Sequence, residues 1–399
     1  MHPPDPTMEG VQRKLSRSFQ EFFDSEKSSG ILLIVCTLVS LSIANSPVGA
    51  AYLDFWHTKA GGMSIEHWIN DGLMAVFFLL IGLELERELH CGELSNAKNA
   101  LLPVIAAIGG ILMPVLIHFA FNAGTPWQPG MGIPMATDIA FALGVLALLG
   151  DRIPPSLKVF VVAFAVIDDL GAIIVIAAFY TKQLSLGYLL AAMATWAILF
   201  ALNRKFRVMS LWPYLLGGGL MWLLMLKSGI HATVAGVFLA FAIPYSSRAE
   251  DGASPSHRLE HFLHKPVAFL ILPLFALANT GVLIGSGWMQ SLASGNSLGI
   301  LAGLVIGKPL GVTLGCFAAV MLGLGRLPPE LNWRHIFGAG ILGGIGFTMS
   351  IFITNLAFAG NAGAINSSKL AILFASLIAG FAGFVWLRLA TRPKAASTR

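Results

Sequence analysis

Leu101-Leu102-Pro103-Val104-Ile105-Ala106-Ala107-Ile108-Gly109-Gly110-Ile111-Leu112-Met113-Pro114-Val115-Leu116-Ile117-His118-Phe119-Ala120-Phe121 carries one histidine and no ionised side chain, and the next formal charge is Asp138. At a rise of 1.5 Å per residue such a stretch makes a helix of about 30 Å, the thickness of a bilayer's hydrocarbon core. The rest of the chain has the same character. Of 399 residues 56% are hydrophobic and 11% charged, with a mean hydropathy of +0.77, whereas soluble domains carry about 25% charged residues. That composition argues against a cytosolic enzyme. A formal net charge of +5 would suggest nucleic acid in a soluble protein, but here the positions of the positive charges say more than their sum, and no nucleic-acid partner is expected. Cys36, Cys91 and Cys316 lie in or beside apolar runs without metal or redox spacing, and read as small buried hydrophobes. No cofactor is expected.

Twelve apolar windows are long enough to cross as helices: 28–45, 68–88, 100–121, 131–150, 156–179, 186–203, 212–226, 229–244, 262–285, 298–322, 334–358 and 367–389. Only helices or closed barrels satisfy every backbone group in lipid, and the alternation of barrel strands is missing. The expected fold is an all-α polytopic membrane protein of 12 transmembrane helices, a single integral membrane domain over 1–399. With twelve spans, twenty lysines and arginines fall on one side, including Arg13, Lys14, Arg17, Lys27, Arg204, Lys205, Arg207, Arg248, Arg392, Lys394 and Arg399. Lys59, Lys182, Lys227 and Lys369 fall on the other, and Lys308 inside a span. The positive-inside rule then places both termini in the cytoplasm, with a cytoplasmic segment at 1–27 and a cytoplasmic tail at 390–399. The polar start and the lack of a small-residue cleavage site after the first apolar run predict no removable signal peptide. Between the first two spans, residues 46–67 hold Tyr52-Leu53-Asp54-Phe55-Trp56 and Met63-Ser64-Ile65 around Gly61-Gly62, which reads equally as a periplasmic hairpin or an interfacial loop; an exposed hairpin edge is a ready dimer contact.

Two spans are interrupted. Span four opens Gly130-Met131-Gly132-Ile133-Pro134-Met135-Ala136-Thr137-Asp138, and span eleven carries Gly338, Gly340, Gly343, Gly344 and Gly346 before Thr348. Glycines alone fit close helix packing, but proline beside Thr-Asp points to a discontinuous helix. Each break is the middle of three helices, spans 3–5 and 10–12, and the two triplets run in opposite directions. Residues 100–179 and 298–391 therefore read as inverted repeats forming an ion-binding core, with the site at the midplane. Four half-helix ends meet there; Asp138 is placed to offset the positive pair and Lys308 the negative pair.

Asp138, Asp168, Asp169 and Lys308 are the ionisable groups deep in apolar runs. Each costs about 2.5–3.5 kcal/mol at a helix centre, on the order of 10–14 together if unpaired. In Ile167-Asp168-Asp169-Leu170 the two carboxylates point about 100° apart, so one can face a cavity while the other meets a partner. Lys308 needs a carboxylate, and Asp169 or Asp168 is expected to supply it. For Asp138 and Lys308, dipole compensation and a structural bridge are at least as well supported as ion contact; for the aspartate pair a bridge would need only one carboxylate. Adjacent carboxyls away from water hold protons near neutral pH and yield them to a hard cation. Exchange then follows from competition, and two titrating groups against one monovalent ion make it electrogenic.

Pro134-Met135-Ala136-Thr137-Asp138-Ile139-Ala140-Phe141, Ile167-Asp168-Asp169-Leu170-Gly171, Gly229-Ile230-His231-Ala232-Thr233, Leu272-Pro273-Leu274-Phe275-Ala276, Gly307-Lys308-Pro309 and Gly344-Ile345-Gly346-Phe347-Thr348-Met349-Ser350 together resemble the NhaA family of bacterial sodium/proton antiporters, in order over nearly the whole chain. The resemblance implies that Asp168 and Asp169 bind the cation and protons, that Thr137 and Asp138 lie at the break of span four, and that Lys308 partners an aspartate. It also implies the bacterial inner membrane, Na⁺ and Li⁺ as substrates, two protons inward per cation outward, a homodimer, and activation at alkaline pH. Matching candidates for pH sensing are Glu84, Arg87 and Glu88, which share a helix face, and His257, Glu260, His261 and His264 at the start of span nine, although charged clusters at helix ends are as often solvated anchors. The family commonly carries lysine where His257 stands. His231 reads as an interfacial polar residue.

Two other classes use similar parts. An intramembrane aspartyl protease pairs two aspartates, but its Gly-x-Gly-Asp motif is missing: Asp151 follows Leu148-Leu149-Gly150. A cation channel also lines its pore with carboxylates; the proton-binding pair and the inverted triplets favour alternating access.

Overall fold

The computed structural model describes residues 28–181, 184–246 and 254–391. Arg13, Lys14, Arg17, Lys27, Lys182, Arg248, Arg392, Lys394 and Arg399, the 1–27 segment and nearly all of the 390–399 tail lie outside the described residues. Among the described residues eight helices are long and apolar enough to cross a membrane, or ten if each of two bent pairs is one span. The eight are Ile65–Cys91, Ala100–Asn122, Gln128–Leu149, Pro155–Phe179, Leu186–Arg204, Pro255–Asn279, Gly295–Met321 and Ala362–Ala390. The bent pairs are Ser28–Ala44 with Gly49–His57, at 114°, and Trp333–Gly343 with Phe347–Ala357, at 45°. The windows at 212–226 and 229–244 become the helices Trp212–Ser228, of 17 residues, and Val234–Ala240, of only 7. Gly229, at φ +85°, ends the first of these in a left-handed conformation that glycine adopts without strain.

Helix starts follow local chemistry. Pro155 opens its helix where no amide donor is needed. Asn332 accepts from the His335 amide while His335 reaches back to Asn332, a reciprocal cap at the start of the Trp333–Gly343 helix. Within residues 46–67 the pairing is confined to Lys59↔Ser64 and Ala60↔Met63 around Gly61 and Gly62, both at positive φ. Tyr52 to Trp56 instead belong to the Gly49–His57 helix, held by the Tyr52 hydroxyl donating to the Leu277 carbonyl at 2.7 Å.

The surface is inverted relative to a water-soluble protein. Leu190, Leu216, Leu377, Phe381 and Leu389 are exposed, whereas Asp138, Asp168, Asp169, Thr137 and Lys308 are buried. Lipid solvates such an exterior, and the chain is a multi-pass membrane protein. The cysteines depart from expectation: Cys316 is buried and Cys36 half-buried, but Cys91 is exposed, because it lies at the end of its helix, where the Tyr245 hydroxyl contacts its sulfur at 3.3 Å.

The helices Ala97–Asn122 and Gly295–Met321 cross with backbones almost touching. A Cβ on Gly109 would lie 2.2 Å from the Gly311 carbonyl oxygen, and one on Gly311 would lie 2.1 Å from that of Gly109. Gly311→Leu is therefore expected to destabilise the folded protein by about 1–3 kcal/mol through overpacking, read as a lowered unfolding temperature in detergent. Gly219→Leu, where a Cβ meets nothing within 4 Å, should leave it unchanged; equal effects would refute close packing as the cause.

Candidate cation site

The chain between Gln128 and Leu149 is not a continuous helix. Gln128–Met135 winds as a tight 3-10 helix, Ala136 and Asp138 are extended, and a regular helix resumes at Ile139. Pro134 removes a donor, and glycines at 130 and 132 weaken the preceding turn. The extended segment crosses the second break, Gly344–Gly346, and the two satisfy each other's backbone. The Asp138 amide donates to the Ile345 carbonyl at 2.6 Å, the Thr137 hydroxyl to the Gly343 carbonyl at 2.9 Å, and the Ser350 hydroxyl to the Ile133 carbonyl at 2.7 Å.

Asp138 caps two helices at once. One carboxylate oxygen accepts from the Phe141 amide at 3.1 Å, and the other from the amide and hydroxyl of Thr348 at 3.0 and 2.6 Å. A single negative charge thereby faces two positive helix N-termini. At the opposite pole, the Lys308 ammonium donates to the Met135 carbonyl at the end of the 3-10 helix. It also contacts both oxygens of Asp168, at 2.7 and 2.6 Å, and lies 5.4 Å from the centre of the Phe164 ring. Of the two aspartates left open as partners, Asp168 takes the lysine. All three side chains are fully buried.

Asp169 points elsewhere, as the turn of the helix between adjacent residues requires. It is 1% exposed, and its Oδ1 has no hydrogen-bond partner among the described residues. It lies in the wall of a cavity of about 50 Å³ that also includes Thr137, Asp138, Thr348, Glu84 and His264. That volume holds a water or a small ion but no organic solute. Its polar lining is oxygen-rich, the donor set hard cations prefer.

At one end the cavity meets an ion-pair cluster. Glu260 lies 3.4 Å from Arg87, 3.8 Å from His257 and 3.7 Å from His264; His264 also lies 3.6 Å from Glu84, and Arg87 lies 3.4 Å from Glu88. Residues 257, 260 and 264 fall on one side of the Pro255–Asn279 helix, so helical spacing alone brings them together. His261 is exposed and outside these pairs. His231 engages the Tyr180 carbonyl at 3.1 Å, away from the cavity wall.

Sequence reasoning did not single out Thr348 as a site residue, although it lies in the first turn of the helix that restarts at Phe347 after the glycine run, where a free amide needs an N-terminal partner. Glu86, buried and accepting from Ser256 at 3.1 Å, was also missed; nothing in its spacing separates it from neighbouring anchors.

Two discontinuous helices crossing over buried carboxylates in a bundle with an apolar exterior define the class of multi-pass membrane secondary transporters. The chain belongs to the Na+/H+ antiporter 1 family, whose model matches residues 20–387. It is 70% identical over 380 residues to the Na(+)/H(+) antiporter NhaA of Dechloromonas aromatica, covering 95% of this chain and 98% of that one. It is 57% identical to the protein of the same name from Cytophaga hutchinsonii, covering 94% and 96%, and 50% identical to that from Vibrio campbellii, covering 94% and 96%.

Removing one partner of a buried ion pair strands the other. Lys308→Ala is expected to cost about 3–5 kcal/mol of stability, and the double variant Lys308→Met with Asp168→Asn to recover part of it. Thermal unfolding in detergent checks this, and a double variant no better than Lys308→Ala would argue against the pairing as the cause.

Proposed function

We propose that the protein is a secondary Na⁺/H⁺ antiporter, not an enzyme, which extrudes Na⁺, and Li⁺ by the same chemistry, from the cytoplasm in exchange for external protons. The observation that carries this reading is the unpartnered, buried Asp169 oxygen in a cavity sized for a single small ion. Asp168 and Asp169 are the cation and proton ligands, with Thr137 and Asp138 at the edge of the site. Lys308 holds Asp168 when the site is empty. A cation entering from the cytoplasm takes the carboxylate oxygens, and protons leave; protons arriving from outside reverse the exchange. Two protons against one monovalent cation move one charge inward per cycle, so the exchange is electrogenic. Occupancy by one species or the other permits the cavity to open to one side at a time, which is alternating access.

The architecture that goes with this reading has twelve spans, with 100–179 and 298–391 as inverted repeats of one transporter domain, and both termini cytoplasmic in a bacterial inner membrane. The Lys59–Ser64 hairpin, exposed along Lys59 and Ala60, is the homodimer contact within 46–67. The cluster of Glu84, Arg87, Glu88, His257, Glu260 and His264 regulates access. Protonated histidines clamp the carboxylates at acid pH, and the clamp loosens as the pH rises.

In everted vesicles carrying a pH gradient, Na⁺ should dissipate the gradient for the wild-type protein. Asp169→Asn should abolish this while leaving the protein folded, and Asp168→Asn should abolish it at a stability cost like that of Lys308→Ala; normal exchange by both would discard the site, and sodium flux with no proton movement would indicate a channel. Lys308→Arg should retain more exchange than Lys308→Ala. Glu260→Gln removes the common partner of Arg87, His257 and His264, so the activation profile should move toward acid by about half a pH unit or more. An unmoved profile would exclude this cluster as the sensor.

A further inference from the structure

Three asparagines from three different helices meet on the side of the molecule opposite Glu84 and His264. Asn279 Nδ2 donates to Asn70 Oδ1 at 2.8 Å, and Asn279 Oδ1 accepts from Asn70 at 3.3 Å and from Asn355 at 2.6 Å. Asn279 is buried, while Asn70 and Asn355 are half-buried and line an outer vestibule of about 700 Å³, whose wall also contains Glu66 and Lys369. Each asparagine lies seven residues along its helix from a residue in the wall of the ion cavity: Asn70 from Phe77, Asn279 from Leu272 and Asn355 from Thr348. Seven residues are two helical turns, about 10 Å of rise. Between the two levels each helix contributes a fully buried apolar side chain, Met74, Phe275 and Phe352. The cavity and the vestibule are thus stacked on the same three helices, separated by one dry layer and one layer of amides.

An ion cannot cross the apolar layer without replacing its hydration, and side-chain amide oxygens are suitable hard-cation ligands. Three amides bonded chiefly to one another have ligands to offer once those bonds exchange, at little cost in unsatisfied groups. The π-helical turn at Trp68–Leu73, which contains Asn70, gives that helix a place to shift register. We propose that Asn70, Asn279 and Asn355 form the outer gate of the cation path, and that their amide oxygens ligate the cation as it passes between the mid-membrane cavity and the outer vestibule. The proposal rests on the antiport reading above and on its orientation.

The test measures half-saturating Na⁺ from each face, in right-side-out vesicles for the outer face and everted vesicles for the inner. Asn355→Asp should lower the outer value by about fivefold or more, because a carboxylate adds a full charge where the amide has a dipole, with the inner value unchanged. Asn279→Leu should cut the maximal rate by about tenfold, roughly 1.4 kcal/mol of barrier, without moving the inner half-saturation. Equal shifts at both faces, or no shift at either, overturn the gate and leave the asparagines as structural cross-links. If either variant unfolds in detergent, Asn355→Cys is made in a background with Cys36, Cys91 and Cys316 replaced by serine, and treated from outside with a charged, membrane-impermeant thiol reagent. Loss of exchange on labelling supports the gate, and full exchange after labelling overturns it. Wild-type protein without Na⁺-dependent proton movement sinks the antiport reading itself; wild-type exchange with unshifted variants sinks the gate alone.

Discussion

Away from water, a backbone group that leaves its helix must find another partner, and in this protein the two interrupted helices supply each other. Ala136–Asp138 gives up helical geometry; the Asp138 amide then donates to the Ile345 carbonyl, while the Thr137 hydroxyl serves the Gly343 carbonyl and the Asp138 carboxylate the Thr348 amide. Leaving such groups unpaired in lipid would cost several kcal/mol each. Each break thus supplies partners that the other lacks within its own helix. Asp138 and Lys308 stand at its two poles with charges opposite to the helix ends they face.

That arrangement divides the labour between adjacent carboxylates. Asp168 is held by Lys308, whose ammonium also contacts the Met135 carbonyl, so one aspartate is tied to the scaffold of the crossing. Asp169, turned about 100° away, is left with an unsatisfied oxygen in a small cavity. A buried, unpaired carboxylate is costly as an anion and tolerable as an acid or as a metal ligand. In the proposed antiport, burial itself would make the site choose between a proton and a cation. Glu84 and His264 stand in the wall of that cavity, whereas Asn70 and Asn355 line a separate vestibule, and the proposed function assigns these two regions to the two directions of access.

Much of this was legible beforehand, for identifiable reasons. Lipid imposes a simple composition rule, so apolar windows located the helices; where they misplaced one, as at 229–244, a glycine and a short turn interrupted a run whose hydropathy stays high. The isolated charges Asp138, Asp168, Asp169 and Lys308 stood out because their cost is large. Which aspartate meets Lys308 was not readable, since adjacent residues differ only in angle and the answer depends on a helix more than a hundred residues away. Thr348 was obscured by its ordinary composition, and the asparagine triad by the fact that amides carry no charge and sit at unremarkable places on three separate helices. The hairpin was foreseen as one of two possibilities, but Tyr52–Trp56 turned out helical, because Trp56 and Tyr52 pack inward on a helical repeat that alternation does not describe.

Competition between protons and sodium for the oxygens around Asp169 is the claim on which the functional reading turns. It is tested most directly by adding Na⁺ to the purified protein in weakly buffered detergent solution and counting the protons released at saturation. Competition predicts proton release that saturates together with Na⁺ binding and disappears in Asp169→Asn. Saturable Na⁺ binding with no release of protons would contradict it.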